Sequence, residues 1–282
     1  MPAQQEQTPI EHCDVAIIGG GPAGASAACR LIEHGYNVAV IEKAHFPRFH
    51  IGESLLPANL RLLEKLGVRD RIDAVSIRKR GVELVSEGDK APAMLEFTGC
   101  WDKEMPYAFH VERAKFDDVL LRRAQEVGAQ VNEGWEVTDV DLGNESHGEP
   151  VTVTGKDADG TVRRWRARFL VDASGRDTLV ANRLQLKKKN PRHASAAMFA
   201  HFKGAERLPG ESEGNISIFL FKHGWMWFIP LANGVMRRGW PMSPRPVTTR
   251  TAPIDRTAIT TCWLAMPTHL LIPFSLRVFI SQ

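Results

Sequence analysis

The residues best placed to do chemistry stand near the start of the chain. The apolar run Asp14-Val15-Ala16-Ile17-Ile18 leads straight into Gly19-Gly20-Gly21-Pro22-Ala23-Gly24, and a helical pattern follows at Ala27, Ala28, Leu31 and Ile32. Strand, glycine turn and helix in that order form the arrangement that cradles a dinucleotide. Gly19 permits the tight turn, Gly21 lets the backbone approach a pyrophosphate, and Gly24 lets the helix pack on the strand. Pro22 and Ala23 open the helix, whose unpaired N–H groups and positive dipole end favour phosphate. Gly35 suits the position that ends it. A second buried strand, Asn37-Val38-Ala39-Val40-Ile41, delivers Glu42, a carboxylate able to accept both ribose hydroxyls of an adenosine and to repel a 2′-phosphate. These residues alone do not separate FAD from NAD.

A second constellation is Gly224-Trp225-Met226-Trp227-Phe228-Ile229-Pro230. Two tryptophans one residue apart lie on the same face of a strand, where the indoles can wall a cavity or simply fill a core. A third is the basic run Arg78-Lys79-Arg80-Gly81. Its lysine is either an exposed charge among arginines or, if buried, an amine of depressed pKa with a lone pair to offer.

The elements that must hold these residues follow from periodicity. Short strands are expected over 80–86, 92–97, 151–156, 161–169, 198–203 and 216–221. Within the fourth, Arg164, Arg166 and Arg168 alternate with Trp165 and Phe169, the pattern of a half-exposed strand. Phe116, Val119, Leu120, Ala124 and Val127 recur at helical spacing before Gly128, and Leu56, Leu60 and Leu63 do so before Gly67.

Composition narrows the function classes. The chain has 282 residues, 43% hydrophobic and 24% charged, with a net charge of +3. That length supports two domains or one large one, and the charge gives no reason to propose nucleic acid. The densest basic cluster, Lys187-Lys188-Lys189 with Arg183 and Arg192, has no interleaved aromatics for base stacking and reads as a solvated face. No apolar run is long enough for a membrane span, and the polar start 1–12 lacks a signal-peptide pattern, so a cytoplasmic location is expected. Cys13, Cys29, Cys100 and Cys262 are widely spaced, which predicts free thiols and no metal site. His50, His110 and His223 are expected to be packing or surface residues.

Three further segments carry a family resemblance. Phe46-Pro47-Arg48-Phe49-His50-Ile51-Gly52-Glu53-Ser54-Leu55-Leu56-Pro57, Val111-Glu112-Arg113-Ala114-Lys115-Phe116-Asp117 and Leu170-Val171-Asp172-Ala173-Ser174-Gly175-Arg176 join the glycine turn and the Trp-x-Trp-x-Ile-Pro run. Together, from about Cys13 to Gly234, they resemble the flavin-dependent halogenases and their monooxygenase and reductase relatives. The resemblance implies FAD as cofactor, bound by Gly19, Gly21, Pro22, Ala23, Gly24, Glu42, Lys43, Arg48, Gly52, Glu53, Ser54, Arg113, Asp172, Ala173 and Gly175. For Arg113, pairing with Asp117 one helical turn away is the equal alternative. Reduced FAD, supplied in trans by a flavin reductase, would work with oxygen and a halide ion to give hypohalous acid for a lysine beside the substrate. Lys79, in a Lys-x-Gly element similar to the family's, is the expected catalytic residue. Trp225, Trp227, Ile229 and Pro230 would form the pocket wall between flavin and an aromatic or phenolic substrate, free or carrier-bound. The family's catalytic glutamate lies further along the longer members and matches no position here. A flavin monooxygenase, a geranylgeranyl-reductase-like enzyme and a degenerate flavoprotein without activity are the alternatives.

The fold class implied is α/β: a Rossmann-type FAD-binding domain interleaved with a β-rich substrate domain, as in para-hydroxybenzoate hydroxylase. The expected division is a flexible segment 1–12, an FAD-binding domain over 13–78 and 106–185, a substrate-domain sheet over 79–105 and 186–234, and an atypical tail 235–282. The tail has six arginines, Asp255 as its lone acid, and prolines at 241, 244, 246, 253, 267 and 273 that disfavour long helices and central strands. Its apolar residues Leu270, Leu271, Ile272, Phe274 and Leu276 could still complete a core. No second Gly-Asp flavin motif follows Gly234, so the expectation is a C-terminally truncated or frame-altered family member with an incomplete FAD site.

Overall fold

The computed structural model describes residues 10–88, 91–100, 102–143, 149–188, 195–202, 205–222, 224–232, 260–267 and 279–281. Lys189, Arg192, His223 and the apolar tail residues from Leu270 to Leu276 lie outside the described residues. In chain order the elements begin with β1 (Ile10–Ile18), α1 (Pro22–Glu33), β2 (Val38–Glu42), α2 (Asn59–Lys65) and α3 (Arg69–Asp73). Then come β3 (Ser76–Lys79), β4 (Gly81–Ser86), β5 (Ala93–Glu96), β6 (Ala108–Val111) and α4 (Arg113–Glu126). The middle holds β7 (Gln130–Glu133), β8 (Glu136–Asp141), β9 (Val151–Lys156), β10 (Val162–Asp172) and α5 (Leu179–Arg183). Last are β11 (Ser195–Phe202), β12 (Ile216–Phe221), β13 (Gly224–Pro230), β14 (Thr260–Pro267) and β15 (Phe279–Ser281).

The chain divides into two compact units. The first comprises Met1–Ile51, Leu63–Arg71 and Arg113–Lys188, the second Gly52–Leu62, Ile72–Glu112 and Lys189–Gln282. This differs from the expected division, which kept Gly52–Leu62, 72–78 and 106–112 with the nucleotide-binding part. Ser54 bridges His110 and β3 pairs β6, so these stretches move together.

In the first unit a six-stranded sheet has the order β7-β2-β1-β10-β9-β8. The first four strands run parallel, and β9 and β8 extend the sheet antiparallel. Val15 to Ile18 of β1 and all of β2 are buried, as central parallel strands covered on both faces must be. Trp165 on β10 is fully buried, meets Trp135 edge to face at 5.7 Å, and donates its indole N–H to Glu11 at 3.1 Å. Such an aromatic pair adds about 1 kcal/mol beyond its area burial. The arginines at 164, 166 and 168 are exposed as expected, but so is Phe169, at 58%. There the alternation stops paying out inward positions, and Phe169 instead lies beneath the Arg168 guanidinium at 5.8 Å.

The second unit contains a seven-stranded sheet of order β15-β11-β14-β13-β12-β4-β5 and the β3-β6 ladder. Two of its strands, β14 and β15, come from the tail, and β14 runs between β11 and β13. The tail therefore carries a central strand after all. Its prolines do not prevent this, because β14 occupies the stretch after Pro253 and ends at Pro267. Among the described residues no helix is long and apolar enough to cross a membrane.

Candidate functional site

In the first unit the glycine turn is shaped by close approaches that exclude side chains. A Cβ on Gly24 would lie 1.9 Å from the Gly19 carbonyl oxygen, so α1 can sit on β1 only with glycine there. Gly19 has φ of +101°, and its own Cβ would stand 2.5 Å from the Ala173 carbonyl oxygen. Backbone bonds lock this crossing: Gly19 N donates to Ile41 O at 2.8 Å and Ala173 N to Ile18 O at 2.9 Å. Gly21 is the N-cap of α1, Pro22 follows at the first helical position, and no side chain caps the helix. The first-turn N–H groups are thus left without a side-chain cap at the positive end of a helix of 12 residues.

Glu42 is 5% exposed. Its carboxylate accepts the Gly20 N–H at 2.7 Å and the Ala44 N–H at 2.8 Å. It therefore fixes the turn, while each oxygen keeps a second lone pair for a ribose hydroxyl. Three arrangements differ from simple cofactor contact. Lys43 pairs with Asp177, both exposed. Asp172 caps its own turn, accepting from Ser174 N at 3.0 Å and Val180 N at 2.9 Å. Gly175 begins the short 3₁₀ turn Gly175–Asp177.

Asp117, on α4, is fully buried and holds two arginines. Arg113 grips it with Nε at 2.7 Å and Nη2 at 2.9 Å, and spends Nη1 on the Ile51 carbonyl at 2.6 Å. All three Arg113 nitrogens are engaged inside the protein, so its pairing with Asp117 is the arrangement adopted. Arg48 gives Nη1 to the same carboxylate at 3.1 Å, and its Nη2 lies 3.4 Å from where a Cβ on Gly21 would stand. Burial first, and then the charges of Arg113 and Arg48, lower the pKa of His50.

The second unit builds a different centre. Lys79 ends β3, is 3% exposed, and donates to Ser54 Oγ at 2.9 Å and Leu55 O at 2.7 Å. Its Nζ lies 5.3 Å from the centre of the Phe97 ring, and burial lowers its pKa to about 8. Among the described residues no carboxylate pairs with it. The Lys-x-Gly spacing has a physical cause here: a Cβ on Gly81 would stand 2.5 Å from Leu95 O. Buried Asn215 holds the same corner, its Oδ1 accepting the N–H groups of Arg80 and Gly81 at 2.8 and 2.7 Å. Gly52 and Glu53 lead into this region. Gly52 N donates to the Glu53 carboxylate at 3.1 Å, and the buried Glu53 gives its carbonyl to Val111 N at 2.8 Å.

His110 pairs with Ile77 across the β3–β6 ladder, so its side chain shares a face with Lys79. It is fully buried, and among the described residues neither ring nitrogen has a partner in hydrogen-bonding geometry. Burial, then the Lys79 charge, holds its pKa well below the usual histidine range.

Trp225 and Trp227 share a face of β13 with ring centres 6.1 Å apart and both side chains half-buried. Ile229 and Pro230 are buried at the strand end.

The arrangement in the first unit fits the adenosine diphosphate half of a dinucleotide, and comparison with known proteins agrees. The model of the FAD binding domain matches residues 12–266. The chain belongs to this FAD-binding family. Tryptophan 2-halogenase of Chondromyces crocatus is 36% identical over 229 residues, covering 80% of this chain and 42% of that protein. The 1H-pyrrole-2-carbonyl-[peptidyl-carrier protein] chlorinase of Pseudomonas fluorescens is 32% identical, covering 80% of this chain and 55% of that protein. Among solved structures, the myxobacterial chondrochloren halogenase CndH, described as a variant of FAD-dependent halogenases, matches with a TM-score of 0.76 and 31% identity. That match covers 92% of this chain and 54% of CndH. The chain spans about half the length of the curated relatives it matches.

Sequence reasoning named Asp117 only as a partner for Arg113 and missed its burial and its second arginine; it missed Asn215 altogether. The burial of Asp117 could have been found: with Leu121 it lies on the buried stripe of α4, beside Phe116, Leu120 and Ala124, where an unpaired carboxylate would be costly. Asn215 carried no such signal, because its partners are backbone groups about 135 residues away.

Proposed function

We propose that this chain binds FAD and serves the halogenation of an aromatic or phenolic acceptor, free or carrier-bound. The first unit is the FAD-binding part in this reading. Gly19, Gly21 and Gly24 form the cradle, the α1 N-terminus and Arg48 meet the pyrophosphate, and Glu42 meets the ribose. Bound in reduced form, FAD supplies the electrons for oxygen reduction through which halide gains oxidising power. A separate flavin reductase provides the reduced cofactor. The free thiols Cys13, Cys29 and Cys100 suit a reducing compartment, and the cytoplasm is proposed as the location.

The second unit is the substrate part in this reading, and Lys79 is the observation that carries it. An amine so buried, with only neutral partners, can donate a hydrogen bond as the ammonium or offer its lone pair to electrophilic halogen as the free base. Gly81 and Asn215 hold the corner that presents it, and Trp225, Trp227, Ile229 and Pro230 are proposed to wall the acceptor's pocket. Similarity to a chlorinase named for a carrier-bound pyrrole supports including carrier-bound acceptors.

The test supplies reduced FAD, oxygen and bromide or chloride to the purified chain, with phenolic and pyrrole acceptors both free and carrier-tethered. Halogen isotope patterns in the product, reduced about 10²-fold or more in Lys79→Met at unchanged FAD affinity, are the expected result. Oxygen incorporation without halogen would point to a monooxygenase instead.

A further inference from the structure

We infer that Asp117 is a positioning residue that aims Arg48 at the diphosphate of the bound dinucleotide. The inference rests on the FAD reading of the first unit and deepens it. Asp117 projects from α4 into a fully buried position, where an unpaired carboxylate would be costly. Two guanidinium groups offset that cost, and they do so unequally. Arg113 commits all three of its nitrogens, to both Asp117 oxygens and to Ile51 O. Its fork fixes the plane of the carboxylate.

Arg48 uses only Nη1 on the remaining lone pair of Oδ2. Its other end is turned to the glycine turn, with Nη2 3.4 Å from the vacant Cβ position of Gly21, and the Phe46 ring supports the guanidinium at 4.6 Å. Arg48 is thereby anchored at one nitrogen and left with donors beside the helix N-terminus, the arrangement by which a planar guanidinium holds a phosphate. Two arginines against one aspartate leave this cluster one positive charge in excess. The other acid at the turn, Glu42, is occupied with the N–H groups of Gly20 and Ala44. Without Asp117, Arg48 would sample many rotamers and pay the ordering cost at each binding event.

The experiment compares ADP and adenosine on the full 282-residue chain, by calorimetry and saturation-transfer NMR, for wild type, Asp117→Asn, Arg48→Ala and the double variant. Each single substitution should weaken ADP and FAD about tenfold or more and leave adenosine within about twofold, since only the phosphates are read by Arg48. The double variant should bind ADP no more weakly than Arg48→Ala, because the two residues act as one device. Should Asp117→Asn not fold, Arg113→Lys takes its place: it loosens the same carboxylate and should show the same ADP-specific loss. Equal loss of ADP and adenosine, additive losses in the double variant, or an unaffected Arg48→Ala would overturn the inference while leaving the FAD reading standing. A wild-type chain that binds neither ADP nor FAD would overturn the FAD reading itself.

Discussion

The glycine turn of the first unit and the lysine corner of the second meet opposite physical demands. At the turn, function needs backbone: side chains are removed so that N–H groups and a helix end can meet an anion, and Glu42 stiffens the loop from behind. At the corner, the proposed chemistry needs one side chain taken out of water, and the surrounding backbone is pinned by Asn215 and by the close approach of Gly81 to Leu95. At Gly19 and Gly24 the turn has no room for a side chain. At the corner, replacing Lys79 is expected to leave the pinned backbone in place and remove the chemistry instead.

Substitutions can break this contrast. The largest expected effect is Gly24→Val, whose Cβ must enter space held by the Gly19 carbonyl; FAD binding should be abolished and the thermal midpoint should fall steeply, with about 3 kcal/mol or more of stability lost. Retained FAD affinity in that variant would mean the turn is not the cradle.

The corner is tested by pH. The folded-state pKa of Lys79, about 8, lies below its ordinary value of 10.5, so between these pH values the unfolded chain binds the extra proton. The penalty for burying the ammonium is full below pH about 8 and vanishes above about 10.5. Stability should therefore rise across that window by roughly 3 kcal/mol, and the rise should be missing in Lys79→Met. Identical denaturation profiles for the two proteins from pH 8 to 10.5 would show that Lys79 is solvated.

The smallest effect concerns His110. Its depressed pKa makes the unfolded state the better proton acceptor as pH falls through about 6.5, so it weakens the fold in mild acid. Replacement by Phe removes two unpartnered nitrogens and should cost about 1 kcal/mol or less at pH 7.5 while flattening the acid limb. A large loss at pH 7.5 would reveal a partner that His110 satisfies.

Legibility followed the range of the interactions. Strands β1 and β2, the helix after the glycine turn and the Glu42 position are written in local patterns, and they stand where the sequence puts them. Glu42 nevertheless holds its own loop as well as facing the proposed ribose, because a strand-end carboxylate meets the N–H groups of a tight turn beside it. The division into units was not legible over Gly52–Leu62, 72–78 and 106–112: these stretches pair with one another, as the expected division also had them, but no local pattern places them in the second unit. Nor did the prolines of the tail foretell β14, whose place is set by its neighbours β11 and β13.

By itself the sequence determined the types of group available: glycines at a strand-to-helix turn, an acid after the second strand, a lysine two residues before a glycine, two tryptophans on one strand face. The tertiary structure alone decided their states. Desolvation and charge pairing depend on which chain segments exclude water around a group. Only the folded chain therefore distinguishes a solvated lysine from the buried Lys79, or an ordinary helix ion pair from the shared carboxylate of Asp117.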